Sequence, residues 1–370
     1  MGSKTVSSGG TEAWYAKAGL ENDVVLSCRV RLARNLVNFP FPGQMKGDDP
    51  ERVRSLVFDS FRQMEYPDQY QTVCVGDLDS LGIRILSERG VISASLLSEP
   101  WAGVVMRADG VLSCTVNDGD HVRLASFVSG LNLYEAWDIC RQTDLAMQER
   151  LQFAASREFG FLTPSFRDLG SGMRASALLH LPSVSAAGMR DRVFRDLLGQ
   201  GYAIAGYYGV GVDGASAGGS LGALYQLSNE NASSGDEEEQ LEFIREGASR
   251  LLRLERNACA ELVKTRMTSV MDQILRAFAV AKFSRFIGNR EGTDLISKIK
   301  WGLNLGILQG ISHEEITALL YRIQDAHLHF VLKTANITLE EDITGDDKKM
   351  ERLRAIVIQE AFSGIEILHT

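Results

Sequence analysis

The sequence has little of what would place a chain in a membrane, behind disulfides or along nucleic acid. No run approaches the ~18 uninterrupted apolar residues that a membrane-spanning helix needs, and the opening MGSKTVSSGGTEAWY has no apolar signal core. Cysteine is scarce and unpatterned. Cys28, Cys74, Cys114, Cys140 and Cys259 are odd in number and widely spaced, which fits neither a disulfide framework nor a zinc site and suits reduced thiols in a cytoplasm. Basic charge is short too, with 39 Lys and Arg against 48 Asp and Glu and a net charge of −9. That balance argues against broad nucleic-acid binding and leaves room for a local basic pocket. Proline is missing where helices need it missing: of seven, the last is Pro182.

The 370 residues that remain to be explained, 45% hydrophobic and 24% charged, allow two or three globular domains. Residues 1–22 read as a flexible leader. From 23 to about 255, short β-like runs at 24–30, 82–86, 103–106, 111–116, 176–181 and 202–208 mix with helical patterns at 50–64, 132–153 and 187–199. Residues 209–222 form a glycine-rich stretch, and 228–239 are polar and end in an acidic run. Composition then changes. Residues 241–287 keep apolar positions at i, i+3, i+4 spacing without interruption, and helices follow at 291–308, 312–332 and 346–362. Ser312 before Glu315 is a capping-box pair. The expectation is an α/β (α+β) domain over 23–255, then an all-helical domain over 256–370.

The chemistry starts at Ser27-Cys28-Arg29-Val30-Arg31. Strand periodicity puts Arg29 and Arg31 on one face, where two guanidiniums repel unless an anion lies between them. A polyphosphate suits that geometry, because arginine makes planar bidentate contacts to phosphate oxygens. Asp120-His121-Val122-Arg123 and Gly170-Ser171-Gly172-Met173-Arg174-Ala175-Ser176 supply further arginines.

In order, VVLSCRVRLARNLVNFPFP, NDGDHVRL, REFGFLTPSFRDLGSGMRASALLHLP and GYYGVG…LGALYQLSN resemble the ATP:guanido phosphotransferases, most closely the bacterial protein-arginine kinases of the McsB type. ERNACAELVK and KIKWGLNLGILQGIS resemble the helical C-terminal domain of that type, so the similarity spans about 23–362. The resemblance implies a glutamine-synthetase-like catalytic domain with a curved antiparallel sheet flanked by helices. It implies ATP with Mg2+ held by Arg29, Arg31, Arg123 and Arg174. Ser27, Cys28, Val30, Ala175, Ser176, Ala177 and Leu178 match the neighbouring nucleotide-contacting segments. It also implies a homodimer, protein substrates, an activator protein and a protease adaptor in cytoplasmic protein quality control, with neither nucleic acid nor membrane as partner.

The pattern is broken where the family keeps its carboxylates. One guanidine-facing glutamate position is Gly119, with Asp118 the nearby candidate substitute; the other is Val210, with Asp213 in the loop beyond. The family's fifth phosphate arginine is Ala205, its nucleotide-side histidine is Gly90 and its reactive cysteine is Ser165. The phosphoarginine-reading motif of the helical domain corresponds to residues 350–355, keeping Glu351 and Arg354, with Arg352 displaced in helical phase. Two readings follow. One is a protein-arginine kinase with weakened catalysis; the other is a catalytically inactive scaffold that binds nucleotide or phosphoarginine.

Overall fold

Strand β1 (Val25–Arg34) runs through the middle of the main sheet, and its two faces answer to different demands. Cys28, Val30 and Leu32 are wholly buried in the largest apolar core, while Arg29 and Arg31 point the other way. The computed structural model describes residues 13–93, 96, 99, 101–207, 220–335 and 337–368. Within them, β2 (Tyr70–Cys74), β3 (Gly103–Arg107), β4 (Leu112–Asp118) and β5 (Asp120–Ser129) precede a two-residue hairpin of β6 (Ala155–Ser156) and β7 (Gly160–Phe161). Then come β8 (Met173–His180), β9 (Tyr202–Gly206) and β10 (Leu224–Asn229). Eight of these form one sheet, β2-β3-β4-β5-β1-β8-β10-β9, in which every neighbouring pair is antiparallel. The mixed α/β architecture with an antiparallel sheet is as expected.

Helices α1 (Asp49–Arg62), α3 (Leu133–Gln148), α5 (Arg190–Leu198) and the first half of α6 (Glu237–Phe283) cover the apolar face. Two further helices border the sheet, α2 (Ser80–Glu88) and the short α4 (Pro182–Ala186). The segment 82–86, read as a strand, lies inside α2, because the Asp79 side chain accepts the Gly82 N–H and caps a helix there. Asp236 and Glu239 form a capping box that starts α6 within the acidic run.

Helix α6 is continuous across the expected boundary at 255/256. Its residues up to Ala258 pack into the sheet core, those from Leu262 into a second core, and its backbone kinks at Arg266. That second core gathers α7 (Asn289–Asn304), α8 (His313–Arg322) and α10 (Asp346–Ala361), with α9 (Asp325–Thr334) packed beside α10 in a small satellite cluster. The single helix expected over 312–332 is two, broken at Ile323 and Gln324.

The helical domain is tied to the sheet by polar contacts as well as apolar ones. Lys300 Nζ donates to the Asn22 carbonyl at 2.8 Å, Asn304 to the Asp23 carbonyl at 3.0 Å, and Trp301 Nε1 to Ser183 Oγ at 2.9 Å. The Glu255 carboxylate accepts the Ser183 and Val184 N–H groups, and burial raises its pKa to about 7. The flexible leader does not extend to residue 22: Trp14 is buried, Leu20 pairs with Gly130, and the Asn22 carbonyl is held by Lys300. Residues 1–12 lie outside the described residues.

Candidate functional site

Strand register brings the arginines together. Arg29 stands opposite Phe127 of β5 and Ser176 of β8; Arg31 stands opposite Arg174; Arg123 stands opposite Ala33. All project from the face of the sheet that the main core does not use. Directly opposed like charges destabilise a strand pair, and here a carboxylate intervenes: Asp168 lies 3.5 Å from Arg31 and 3.8 Å from Arg174. Burial, with Arg123, Arg29 and Arg174 nearby, lowers the Arg31 pKa to about 10 against the opposing pull of Asp168.

Arg29 is different again. Its guanidinium lies 5.0 Å over the Phe127 ring, its Nε is buried without a hydrogen-bond partner, and no described carboxylate forms an ion pair with it. Burial lowers its pKa first, with Arg123 adding to the effect. A half-buried cation with a buried, unpartnered donor is costly unless an anion joins it. The arrangement is therefore built to receive a multiply charged anion.

Arg123 is anchored in the β4–β5 hairpin. It pairs with Asp120 at 2.9 Å and Asp118 at 3.6 Å. Asp120 is wholly buried and also accepts from Asn35, while Asp118 accepts from Ser93 and Thr115. Asp118 is thus a partner of Arg123 and the hairpin rather than a free base. His121 points away: its Nδ1 accepts the Leu36 N–H and its Nε2 meets the Pro40 carbonyl, and burial lowers its pKa to about 4. Gly119, at the tip of the hairpin, has φ +70°, and a Cβ there would lie 2.7 Å from an Arg123 guanidinium nitrogen. A side chain at this glutamate position would meet both strain and a clash.

The other sequence candidates divide by face. Ser27 and Ser176 share the arginine face by register. Cys28, Val30, Ala175 and Ala177 do not: all four are wholly buried in the opposite core, so only their backbone borders the site. Burial pushes the Cys28 thiol up to about 12. Leu178 packs with Leu26 and Leu224 against the helical domain, which corrects its assignment to the nucleotide. Ala205, in register with Gln226, leaves the arginine face without its fifth cation. Ser165 shapes its own loop, its carbonyl accepting from Thr163 Oγ1 and the Asp168 N–H. Gly209, Val210 and Asp213 lie outside the described residues.

Arg354 does not face a ligand. Its side chain is 1% exposed and donates to the Ile323 and Ile287 carbonyls at 2.9 Å each, with Asp325 completing the set. Glu351 pairs with Lys348, and Arg352 is held by Glu340. The phosphoarginine-reading assignment of Arg354 is therefore corrected, since its side chain ties α10 to Ile287, Ile323 and Asp325, whereas Glu351 makes its ion pair along α10 itself.

Sequence reasoning missed Asp168, Phe127 and an aromatic group next to Phe127. Asp168 had one available signal, its place in the loop just before the Gly170–Arg174 turn. Phe127 had another, the alternation Arg123, Ala125, Phe127 beyond the motif. Beside them lies a cavity of about 200 Å³ lined by Trp14, Arg89, Val91, Met106, Ser113 and Tyr321, among others.

Comparison with known proteins shows what the chain is similar to. Residues 52–258 match the family model described as ATP:guanido phosphotransferase, C-terminal catalytic domain, and residues 267–368 match the protein-arginine kinase McsB C-terminal domain. The gap between the two contains the Arg266 kink. The chain is 31% identical over 347 residues to the protein-arginine kinase of Symbiobacterium thermophilum, covering 93% of this chain and 97% of the relative. It is 32% identical to that of Pelotomaculum thermopropionicum, covering 87% and 89%. Among solved structures, a lombricine kinase aligns with TM-score 0.56 at 15% identity, covering 68% of this chain and 73% of that one. A duplicated taurocyamine kinase from Schistosoma mansoni aligns with TM-score 0.57 at 17% identity, covering 73% and 38%.

Proposed function

The chain belongs to the ATP:guanido phosphotransferase family, with the C-terminal domain of protein-arginine kinases, and from that premise we propose that it binds Mg-ATP on its arginine face and phosphorylates protein arginines at an attenuated rate. The carrying observation is Arg29, half-buried with an unpartnered Nε and no ion pair among the described residues, on one sheet face with Arg31, Arg123 and Arg174. These residues fit a polyphosphate: Arg29 forms no ion pair among the described residues, and Asp168 already occupies an anion's place between Arg31 and Arg174. Mg2+ would arrive on the phosphate oxygens and supply charge neutralisation there.

In the reaction the terminal P–O bond of ATP breaks, an N–P bond forms to the guanidine, the guanidinium loses a proton, and ADP leaves. Arginines that hold spreading phosphoryl charge are most of the catalysis this chemistry needs. The acceptor still has to be oriented and deprotonated. Asp118, Asp120 and Asp168, the described carboxylates at the arginines, all form ion pairs with them. A missing base or orienting group costs ~10²–10⁴-fold. That engagement also favours the second reading, a nucleotide-binding pseudokinase. The burial of Arg354 weighs against a phosphoarginine-binding version of it through the 350–355 segment.

The remaining context belongs to the same proposal: cytoplasmic protein quality control, with an activator and a protease adaptor as partners, and a homodimer. Exposed Val263, Val280, Phe283 and Phe286 on and after α6 give such a dimer an apolar face. Light scattering showing a strict monomer at tens of micromolar would contradict the dimer. The test of function is mass spectrometry for phosphoarginine after incubation with Mg-ATP and a protein substrate. Formation at least ~100-fold below a relative with both glutamates is expected; rates typical of such relatives would overturn the attenuation.

A further inference from the structure

Arg29 is the least satisfied cation of the site, yet it is not loosely held. Phe127, its cross-strand partner, carries Arg29 over its ring at 5.0 Å and is stacked on Trp14 at 5.4 Å and 18° between planes. Trp14 meets Tyr321 of α8 edge-on at 5.7 Å, and Tyr15 stacks on the same Tyr321 ring at 4.6 Å. Tyr321 hydrogen-bonds the half-buried Tyr207, whose phenol lies close enough to Arg29 to feel its charge. The contacts form a chain of Arg29, Phe127, Trp14, Tyr321 and Tyr207, whose far end lies within the field of Arg29. Its members come from the sheet, the N-terminal segment, the residue after β9 and the helical domain. This aromatic group packs against Arg29, which forms no ion pair among the described residues.

Resting on the nucleotide reading above, we propose that Tyr321 and Trp14 are positioning residues for Arg29, so that the helical domain completes the anion site. A cation held over a ring face with a phenol nearby takes its orientation from them. Removing the wall from α8 frees the guanidinium to turn away from the sheet. Conversely, an anion that fixes Arg29 fixes Phe127 and Tyr207, and through them α8. Occupancy of the site and docking of α8 are then one linked equilibrium, and linkage acts equally in both directions.

The test uses the full chain and inorganic tripolyphosphate, which has phosphates and no base. Binding by calorimetry should weaken ~10-fold in Tyr321→Ala and less in Tyr321→Phe, which keeps the ring and loses the hydroxyl, within the usual range of coupling. Amide exchange of α8 (His313–Arg322) should slow when tripolyphosphate saturates the wild type, and should not respond in Arg29→Met. A merely structural tyrosine would change stability without that ligand-dependent protection. If Tyr321→Ala does not fold, Tyr321→Phe and the exchange measurement decide. Variant affinities within twofold of wild type, or unchanged α8 exchange at saturation, would overturn the positioning role alone. Failure of the wild type to bind tripolyphosphate at all would instead overturn the nucleotide site.

Discussion

Two sets of arginines in this molecule, one fully buried and one half-buried on the sheet, differ in what they touch. Arg34 and Arg354 are almost fully buried, and each is spent. Arg34 makes a bidentate pair with Asp144, donates to the Ala33 and Ser171 carbonyls and lies 3.6 Å from the Phe161 ring centre; Arg354 has two carbonyls and Asp325. On the sheet, Arg31 and Arg174 share one carboxylate, Asp168, and Arg29 forms no ion pair among the described residues. Satisfied arginines hold structure; under-satisfied ones in a converging group are waiting for an anion. Residue type alone does not make that distinction. The partner inventory does.

The comparison breaks first at its structural side. Arg34→Met leaves Asp144 buried without its cation, and chemical denaturation should show a loss of ~3–5 kcal/mol, while Arg29→Met should lie within ~1 kcal/mol of wild type or above it. Equal losses would show that the sheet arginines are structural as well.

Acid offers the next effect. His121 is neutral in the fold, its pKa lowered to about 4 by burial, whereas the unfolded chain takes up that proton near 6.5. The unfolded state therefore binds more protons between those values, and stability falls as pH drops through that window. The share from this one group is ~2–3 kcal/mol. His121→Gln should be less stable at pH 7 and have a shallower acid slope in thermal or urea melts. An unchanged slope would remove His121 from the account.

Gly119→Glu, which restores a family carboxylate in composition, should cost ~1–2 kcal/mol for a left-handed backbone position, besides displacing Arg123. A fully stable variant would show that the hairpin relaxes readily. The smallest effect belongs to Asp168→Asn. Removing the carboxylate that competes with phosphate should tighten tripolyphosphate binding by about 1 kcal/mol, roughly fivefold. Weaker binding would make Asp168 an organiser of the arginines instead.

Much of this was legible in sequence because it is local. Alternation exposed Arg29 and Arg31 on one strand face, and the i, i+3, i+4 pattern exposed α6. Other elements were hidden by competing local signals. Residues 82–86 alternate like a strand, yet Asp79 caps them into a helix. The acidic run at 236–239 looks like a solvated loop and is the first turn of α6. β5 was reduced to its Arg123 motif, so Phe127 went unnoticed. The aromatic group of Phe127, Trp14, Tyr207 and Tyr321 spans more than 300 positions and follows no period, so only tertiary structure assembles it. Arg354 illustrates the converse: a motif position can persist while its side chain is used for packing.

The most direct measurement is a calorimetric titration of Mg-ATP into the wild type and into Arg29→Met under one buffer. The account predicts saturable one-site binding by the wild type and a loss of at least ~10-fold in Arg29→Met, the cost of removing one charge-assisted contact, at unchanged stability. No binding by the wild type, or equal binding by both, would contradict it.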